Sequence, residues 1–296
     1  MLELSLERIH GIFHAVIEPN FSIYTSSPTP ATVFLGAQPG AGKTNAQSII
    51  TEMYSEGALM PIVGDDFRSY HPDYNTLLET DPLEMPNKTA RAAGIWTGMT
   101  VEWARKNSVS CIIEGTWRNK QTVLEEAKRA KSVGRATHAV LLSVPPILSR
   151  LSILGRYYTD MEGGRRARWT PPEAHDETVR NLPYNVEEVA TAGIFDRYTV
   201  ITRKGVVLYD GEDPVAFVKS WKSGFDRLLS ETEVENTRKY LNGIVSLWKT
   251  LDSSNTEAKK VLNELHSELK RELNLRKFLT STMKVSDLRL RERPYS

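Results

Sequence analysis

The chain has 296 residues, a formal charge of +1, 40% hydrophobic and 25% charged residues, an ordinary globular composition long enough for one large domain or a domain with an appendage. Near-neutral charge argues against a general nucleic-acid binder, which needs a basic excess to meet a polyanion. No apolar run approaches the roughly 20 residues of a membrane helix, because "HAVLLSVPPIL" is cut by Pro145 and Pro146, so neither nucleic acid nor membrane is expected as a partner.

At the amino terminus "MLELSLERIH" carries acids and no basic leader before an apolar core, so no secretion signal is evident and a cytoplasmic location is expected. Leucines with Ile9, Ile12 and Phe13 recur at helical spacing until "TSSPTP" breaks the pattern, so residues 1–30 are expected to form a helical arm. From Thr32 onward, "TVFLGA", "PIVG", "SCIIEG", "HAVLLSV" and "RYTVIT" read as short buried strands separated by helical stretches. That alternation predicts an α/β fold with a mostly parallel sheet and helices on both faces. Cys111, in the third of these strands, is the only cysteine and has no intrachain disulfide partner, which fits a reducing compartment. "TPPEAHDETVRNLP" reads as a punctuated helix: Thr170 as N-cap, Pro171 at the first helical position, Glu173 closing a capping box and Pro183 ending it. Beyond about Trp221, two amphipathic helices flank "DSSNTEA", one presenting Leu241, Ile244, Val245, Trp248 and Leu251, the other Val261, Leu262, Leu265, Leu269 and Leu273. "RLRERPYS" reads as a solvated tail.

Between the first strand and the next helix stands "LGAQPGAGKT". It fits the phosphate-loop pattern G-x-x-x-x-G-K-[ST] except that Ala37 holds the position of the first glycine. Such a loop turns consecutive backbone N–H groups onto phosphates with a helix dipole behind them. The backbone from Gly40 through Ala41 and Gly42 supplies the turn, Lys43 the charge for the β and γ phosphates, and Thr44 a hydroxyl for Mg²⁺. A methyl group at the first position is tolerable provided its backbone stays at negative φ. The competing reading is a glycine-rich turn without ligand.

After the second strand comes "GDDFRSYHPDY", so Asp65, Asp66, Arg68 and His71 start beyond the carboxyl end of a strand, where open parallel sheets bind ligands. A carboxylate there can accept the proton of a hydroxyl being phosphorylated, although Asp65 can equally be a helix N-cap. The third strand ends "IIEGTWRN" and repeats the arrangement with Glu114, Thr116 and Arg118. Its carboxylate can hold a sugar hydroxyl or a metal-bound water, or simply hydrogen-bond the neighbouring loop. Five arginines then stand between Arg150 and Arg168 against only Asp160 and Glu162. Forked guanidinium donors suit a transferring phosphoryl group, and the "EGG" among them suggests a lid; a solvated charged face is the alternative.

Taken together, "SSPTPATVFLGAQPGAGKT", "GDDFRSYHPDY", "IIEGTWR", "LGRYYTDMEGGRRARWTPPEAHD" and "NLPYNVEEVATAGIFDR" resemble the zeta toxin family of small-molecule kinases in order and spacing, from about Ser26 to Leu208. The resemblance implies ATP-dependent phosphorylation, with Mg²⁺, of a UDP-activated amino sugar, typically the 3′-hydroxyl of the amino sugar in UDP-N-acetylglucosamine, with a product that poisons cell-wall synthesis. Carried over position by position, Asp65 matches the general base, Lys43 the phosphate-loop lysine, Thr44 the Mg²⁺ ligand, Glu114 and Thr116 the sugar-holding residues, and Arg156 and Arg168 the two lid arginines. The sequence departs from the family at Ala37 and at an acidic residue on the helix before "SCIIEG", for which Glu102 is the available substitute. The family also implies a small helical antitoxin, or an inhibitory helical segment in the same chain.

The expected organisation is therefore an arm over 1–30, a P-loop kinase domain over 31–224 and a helical extension over 225–296 that either covers the core or inhibits it. Two other functions stay open at this stage: a kinase for another small metabolite, such as an antibiotic or a dinucleotide, and a non-catalytic ATP-binding interaction module.

Overall fold

A computed structural model describes residues 4–54 and 59–291, with side chains to Phe278. The chain runs α1 (Leu6–Ile12), β1 (Ala31–Gly36), α2 (Lys43–Glu52), β2 (Met60–Val63), α3 (Tyr74–Thr80), α4 (Met85–Lys106), β3 (Cys111–Gly115), α5 (Lys120–Ser132), β4 (Ala136–Ser143), α6 (Pro146–Glu162), α7 (Pro172–Thr191), β5 (Arg197–Thr202), β6 (Val207–Gly211), α8 (Pro214–Phe225), α9 (Glu231–Leu251) and α10 (Thr256–Arg291). It divides into two compact units that do not follow chain order: residues 1–149 with 168–225, and residues 150–167 with 226–296.

The first unit is built on one six-stranded sheet in the order β2-β3-β1-β4-β5-β6. The five strands expected from the sequence are all present and parallel, and β6 pairs antiparallel with β5 at the edge. β6 escaped the sequence reading because its residues are mostly exposed and lack a buried apolar run. All six residues of β1 are buried, as a central strand covered on both faces requires. Its pleat splits them: Phe34 joins Leu141, Val200, Leu182, Val189 and Trp221 on one side, whereas Val33 and Leu35 join Val140, Ile201 and Ile50 on the other. Since β2 and β3 lie on one side of β1 and β4 and β5 on the other, the strand order reverses at β1. A crevice at the carboxyl ends of the strands belongs there.

The amino-terminal arm is helical, as its spacing predicts, and Ile9, Phe13, Ile17 and Phe21 are buried against Trp96, Ala92 and Ala93 of α4. Only Leu6–Ile12 is α-helix, begun by a Ser5 cap on the Arg8 amide at 3.2 Å; a π turn and a 3₁₀ turn follow to Ile23. Cys111 is buried, as expected of a strand residue.

The punctuation expected of α7 is corrected. Pro171 is the N-cap, Pro172 starts the helix, and the helix passes through Pro183 to Thr191. An interior proline forfeits a backbone hydrogen bond, but Leu182, Val186, Val189 and Ala190 on either side of it are buried in the core. Packing of that face outweighs the local penalty.

The second unit contains the later part of α6 together with α9 and α10. Gly155 of α6 meets Tyr240 of α9 so closely that an added Cβ would overlap the phenol hydroxyl. The Tyr158 hydroxyl donates to Asp252 Oδ2 at 3.2 Å, and Arg150 reaches Glu264 and Glu268 of α10 at 3.3 and 3.2 Å. Ser230 and Glu233 form a capping box at the start of α9, where a forked pair with Arg227 at 2.7 and 2.6 Å holds the Glu233 carboxyl down to about 2. Leu241, Ile244, Val261, Leu262, Leu265 and Leu269 are buried, as their helical spacing predicts. Arg289–Arg291 of the expected tail still lie within α10, and the remainder of it lies outside the described residues.

Candidate active site

β1 delivers the chain into the loop at Gly36, where no side chain fits: a Cβ would stand 2.6 Å from the Trp117 indole and 2.7 Å from Leu141. Ala37 follows, fully buried, its amide 3.3 Å from the Gly115 carbonyl. Its φ is negative, so the methyl group in place of the first glycine costs no backbone strain. Positive φ is confined to Gly40 at 78° and Gly42 at 99°, which turn the loop into the amino terminus of α2. Ala41 is fully buried beneath that turn, while Thr44 is exposed in the first turn of α2. Turned amides, a helix amino terminus, a lysine and an open hydroxyl form a donor set that fits the phosphates of a nucleotide and an accompanying Mg²⁺.

Lys43 and Glu114 face each other at 3.8 Å with only 13% and 16% of their side chains exposed. Lys43 also donates to the Ala37 carbonyl at 3.4 Å. Glu114 accepts a 2.8 Å hydrogen bond from Gln47, one helical turn after Lys43 on α2. Burial pushes the Glu114 carboxyl up, aided by the negative charges of Asp65 and Asp66; Lys43 and Gln47 oppose the shift without cancelling it. The ends of β2 and β3 therefore bring three carboxylates into electrostatic reach of one another beside the loop lysine.

Asp65 caps the short 3₁₀ turn Asp66–Tyr70, but its side chain makes no capping hydrogen bond. Both of its oxygens are held by arginines instead: Arg68 Nε donates to Oδ1 at 2.8 Å and Arg168 to Oδ2 at 2.7 Å. Surrounding protein pushes this carboxyl up, yet Arg168 and Arg68 outweigh that and hold it below the ordinary range. Asp66 moves the other way, raised by burial and by the Asp65 charge beside it. Arg68 is itself fixed, donating to Thr89 Oγ1 at 2.9 Å and to the Pro86 carbonyl.

The other candidates are distributed around this centre. Thr116 Oγ1 accepts the Arg118 amide at 3.4 Å, and Arg118 pairs with Glu177 at 3.2 Å on the wall of a cleft of about 490 Å³ shared with Asn119, Lys120 and Asn185. His71 is buried, and its Nδ1 accepts the Asp73 amide at 3.2 Å; burial pulls its pKa down, opposed by Asp73, so the ring is spent on the turn rather than carrying charge. Arg156 is exposed on the part of α6 that belongs to the second unit, whereas Arg168 belongs to the first. Glu102 does not fill the place of the expected helix acid. It lies in the last turns of α4, which precede the start of β3, and is bound to Arg105 and, at 3.3 Å, to Lys106. That is the end of the sheet opposite the loop.

Three residues of the site were not singled out from the sequence. Gln47 has no motif and is noticed only because α2 places it over Glu114. Trp117, between Thr116 and Arg118, adopts a left-handed φ of 53°, a conformation uncommon for a bulky residue, with its indole buried and stacked on Phe195. Asn185 holds that kink by donating to the Trp117 and Arg118 carbonyls at 2.9 and 2.8 Å. The signal was present as the tryptophan that interrupts "EGTWRN" and the asparagine in "NLPYN", but neither residue type names its partner.

The family model for zeta toxin matches residues 16–213. The Enterococcus hirae protein named Toxin zeta is 29% identical over 241 residues, covering 78% of this chain and 84% of that one. Toxin PezT of Streptococcus pneumoniae serotype 4 is 32% identical over 189 residues, covering 64% and 74%. Among solved structures, a chain from the PezAT chromosomal toxin-antitoxin system of Streptococcus pneumoniae superposes with a TM-score of 0.71 at 25% identity, covering 82% of this chain and 98% of that one. The sheet and the loop are those of a P-loop kinase fold, and carboxy-terminal helices follow it in the chain.

Proposed function

Because the chain belongs to the zeta toxin family, we propose that it is a toxin that transfers the γ-phosphoryl group of ATP to a sugar hydroxyl of a UDP-activated amino sugar, with the 3′-hydroxyl in UDP-N-acetylglucosamine as the acceptor. One observation carries the reading: Asp65, fixed at the end of β2 between Arg68 and Arg168, shares a charge cluster with Glu114 and the loop lysine. A glycine-rich turn without ligand has no use for three carboxylates and three cations gathered at its mouth.

In this reading the amides of Gly40, Ala41 and Gly42 and the Lys43 ammonium hold the β and γ phosphates. Thr44 would ligate Mg²⁺, which when bound neutralises phosphate charge. Asp65 accepts the proton of the acceptor hydroxyl. Its low basicity suits a late proton transfer, made once the oxygen has begun to bond to phosphorus. Arg168 leaves Asp65 Oδ2 to meet the charge that spreads over the transferring oxygens, a role that the family resemblance also gives Arg156. Glu114, Thr116, Arg68 and Arg118 are assigned to the acceptor side, with His71 holding the turn behind them, and Glu114, raised by burial, is suited to share a hydrogen bond with a sugar hydroxyl. The product would deprive cell-wall synthesis of its amino-sugar donor, and a small helical antitoxin is the expected partner.

The test is an ATP-turnover assay with Mg²⁺ over a panel of UDP-sugars, dinucleotides and antibiotics, with ³¹P NMR of the product. A new phosphomonoester on UDP-N-acetylglucosamine supports the proposal. Turnover of a dinucleotide or an antibiotic moves the acceptor elsewhere, and nucleotide binding without turnover of any acceptor replaces the kinase by an interaction module.

A further inference from the structure

Ser149 and His175 are among the most deeply buried polar side chains in the first unit, 0% and 2% exposed, and their Oγ and Nε2 atoms lie 2.9 Å apart. Neither belongs to the cluster described above. Their placement in the chain gives the contact meaning. Ser149 is the last residue of the first unit before the chain leaves it at Arg150, and His175 follows shortly after it returns at Arg168. Every arginine of the segment that began as a candidate lid lies between them.

The two ends of this clasp are stiff. The Ser149 hydroxyl is also 2.9 Å from the Pro146 carbonyl in the first turn of α6, and His175 Nδ1 is 3.2 Å from Asp176 Oδ1. From His175 back to Arg168 the chain has little freedom. Ala174 and Glu173 are in the first turn of α7, Pro172 and Pro171 have ring-locked φ, and Trp169 is anchored with 2% exposure immediately beside Arg168. A displacement at His175 is therefore passed along a short rigid path to the guanidinium that holds Asp65.

We infer that His175 is a positioning residue for phosphoryl transfer, acting through its clasp on Ser149 to set the register of Arg168 on Asp65. The inference rests on the kinase reading above and adds to it a residue that touches neither substrate. A buried serine–histidine contact that served stability alone would not matter to Asp65, whereas a clasp that positions Arg168 leaves its mark on the carboxyl Arg168 binds. Asp65 is held down by Arg168 and Arg68, with Asp66 and Glu114 as the neighbouring acids.

The experiment uses the full chain. Carboxyl ¹³C NMR follows the Asp65 titration without nucleotide or acceptor, and steady-state kinetics with the acceptor found above follow turnover. In His175→Ala and in Ser149→Ala the Asp65 midpoint is expected to rise, and kcat to fall by up to about 100-fold with the ATP KM unchanged, the loss that misplacing a catalytic group by an ångström can bring. His175→Gln, whose amide reaches the position of Nε2, should restore both readouts; His175→Asn, whose amide stops nearer the backbone, should not. In a cycle with Arg168→Lys, the double variant should be hardly slower than the worse single one, because both act through one contact. An Asp65 midpoint unmoved in either alanine variant overturns the inference, as does a double variant whose losses multiply. Should His175→Ala not fold, Ser149→Ala, which removes one hydroxyl from a buried position, carries the same test. A wild-type chain that phosphorylates nothing defeats the kinase reading, while the titration still decides whether the clasp sets Arg168.

Discussion

Arg168 donates to Asp65 Oδ2 at 2.7 Å across 103 residues of sequence, and that contact joins the two halves of the proposed chemistry. Each Asp65 oxygen keeps a lone pair beside its one arginine contact, but the two guanidinium groups depress its basicity until one of them is released. The phosphoryl group in transfer is the stronger anion, and Arg168 is the donor positioned to exchange one partner for the other. In the proposed reaction, proton acceptance by Asp65 and charge stabilisation by Arg168 are thereby coupled through one contact.

Asp65→Asn tests the base. Asparagine keeps the shape and one acceptor oxygen but loses the basic site, so turnover should fall about 10²- to 10⁴-fold, with ATP affinity, measured by calorimetry, within a few-fold of wild type. Near-normal turnover in the variant would remove Asp65 from the mechanism.

Arg168→Lys keeps the charge and discards the planar fork. Turnover should drop while acceptor affinity stays, because the interaction is made in the transition state rather than with the bound acceptor. Loss of acceptor affinity with kcat intact would instead place Arg168 on the sugar nucleotide.

The pH dependence follows from the same contact. Asp65 must be ionised to act, so activity falls as pH drops through its native pKa, and the arginines hold that pKa below the ordinary carboxylate range. The acid limb of kcat/KM, which reports the free enzyme, should therefore lie below that range in the wild type and move upward in Arg168→Ala, where burial is opposed by Arg68 alone. For stability the sign is the same: a depressed folded pKa stabilises above the unfolded pKa and is lost as pH falls through the folded one. An acid limb that does not move would show that Arg168 is not what holds Asp65 down.

How much of this was legible beforehand differs by element. The loop, the strand that leads to Asp65, the strand that carries Glu114, and the parallel sheet follow from local pattern, because a buried central strand must be a continuous apolar run and a phosphate loop needs its glycines at fixed spacing. The replacement of glycine by Ala37 was readable too, since a negative φ is all that alanine demands. What was not legible is pairing over long separations. Nothing in "KTNAQS" announces that Gln47 holds Glu114, or in "PEAHD" that His175 meets Ser149. The persistence of α7 through Pro183 is hidden for a related reason, being decided by what its flanking residues pack against. β6 was missed because an exposed edge strand need not be apolar.

Glu114 gives a prediction of opposite sign to that of Asp65. Its folded pKa is raised, chiefly by burial, so the ionised carboxylate destabilises the fold above that pKa and the penalty vanishes below the unfolded one. Glu114→Gln should accordingly raise Tm at pH 7, lose that advantage as the pH falls below the ordinary glutamate range, and reduce turnover. Gln47→Ala, which removes the 2.8 Å hydrogen bond to the carboxylate, should raise the Glu114 pKa further. A glutamine variant less stable than wild type at pH 7 would mean that the Lys43 pair outweighs burial.

The carboxy-terminal helices were expected either to cover the core or to inhibit it, and removal of an inhibitor should leave a folded, more active kinase. The composition of the second unit points to a different outcome for a chain ending at Phe225. Residues 150–167 belong to the same compact unit as 226–296, so the cut removes α9 and α10 but leaves the part of α6 that packs with them. Gly155 would lose Tyr240, Tyr158 its partner Asp252, and Arg150 both Glu264 and Glu268. Leu151, Leu154 and Tyr158, each at most 3% exposed in the full chain, lie along this stretch, and an uncovered apolar helix face is an aggregation surface. The truncated chain should thus aggregate or show a lowered Tm by calorimetry, while a further deletion of residues 150–167 with a short linker to Arg168 should recover solubility and keep ATP binding. A soluble truncation at Phe225 with turnover above that of the full chain would instead identify the carboxy-terminal helices as an inhibitor carried in the same chain.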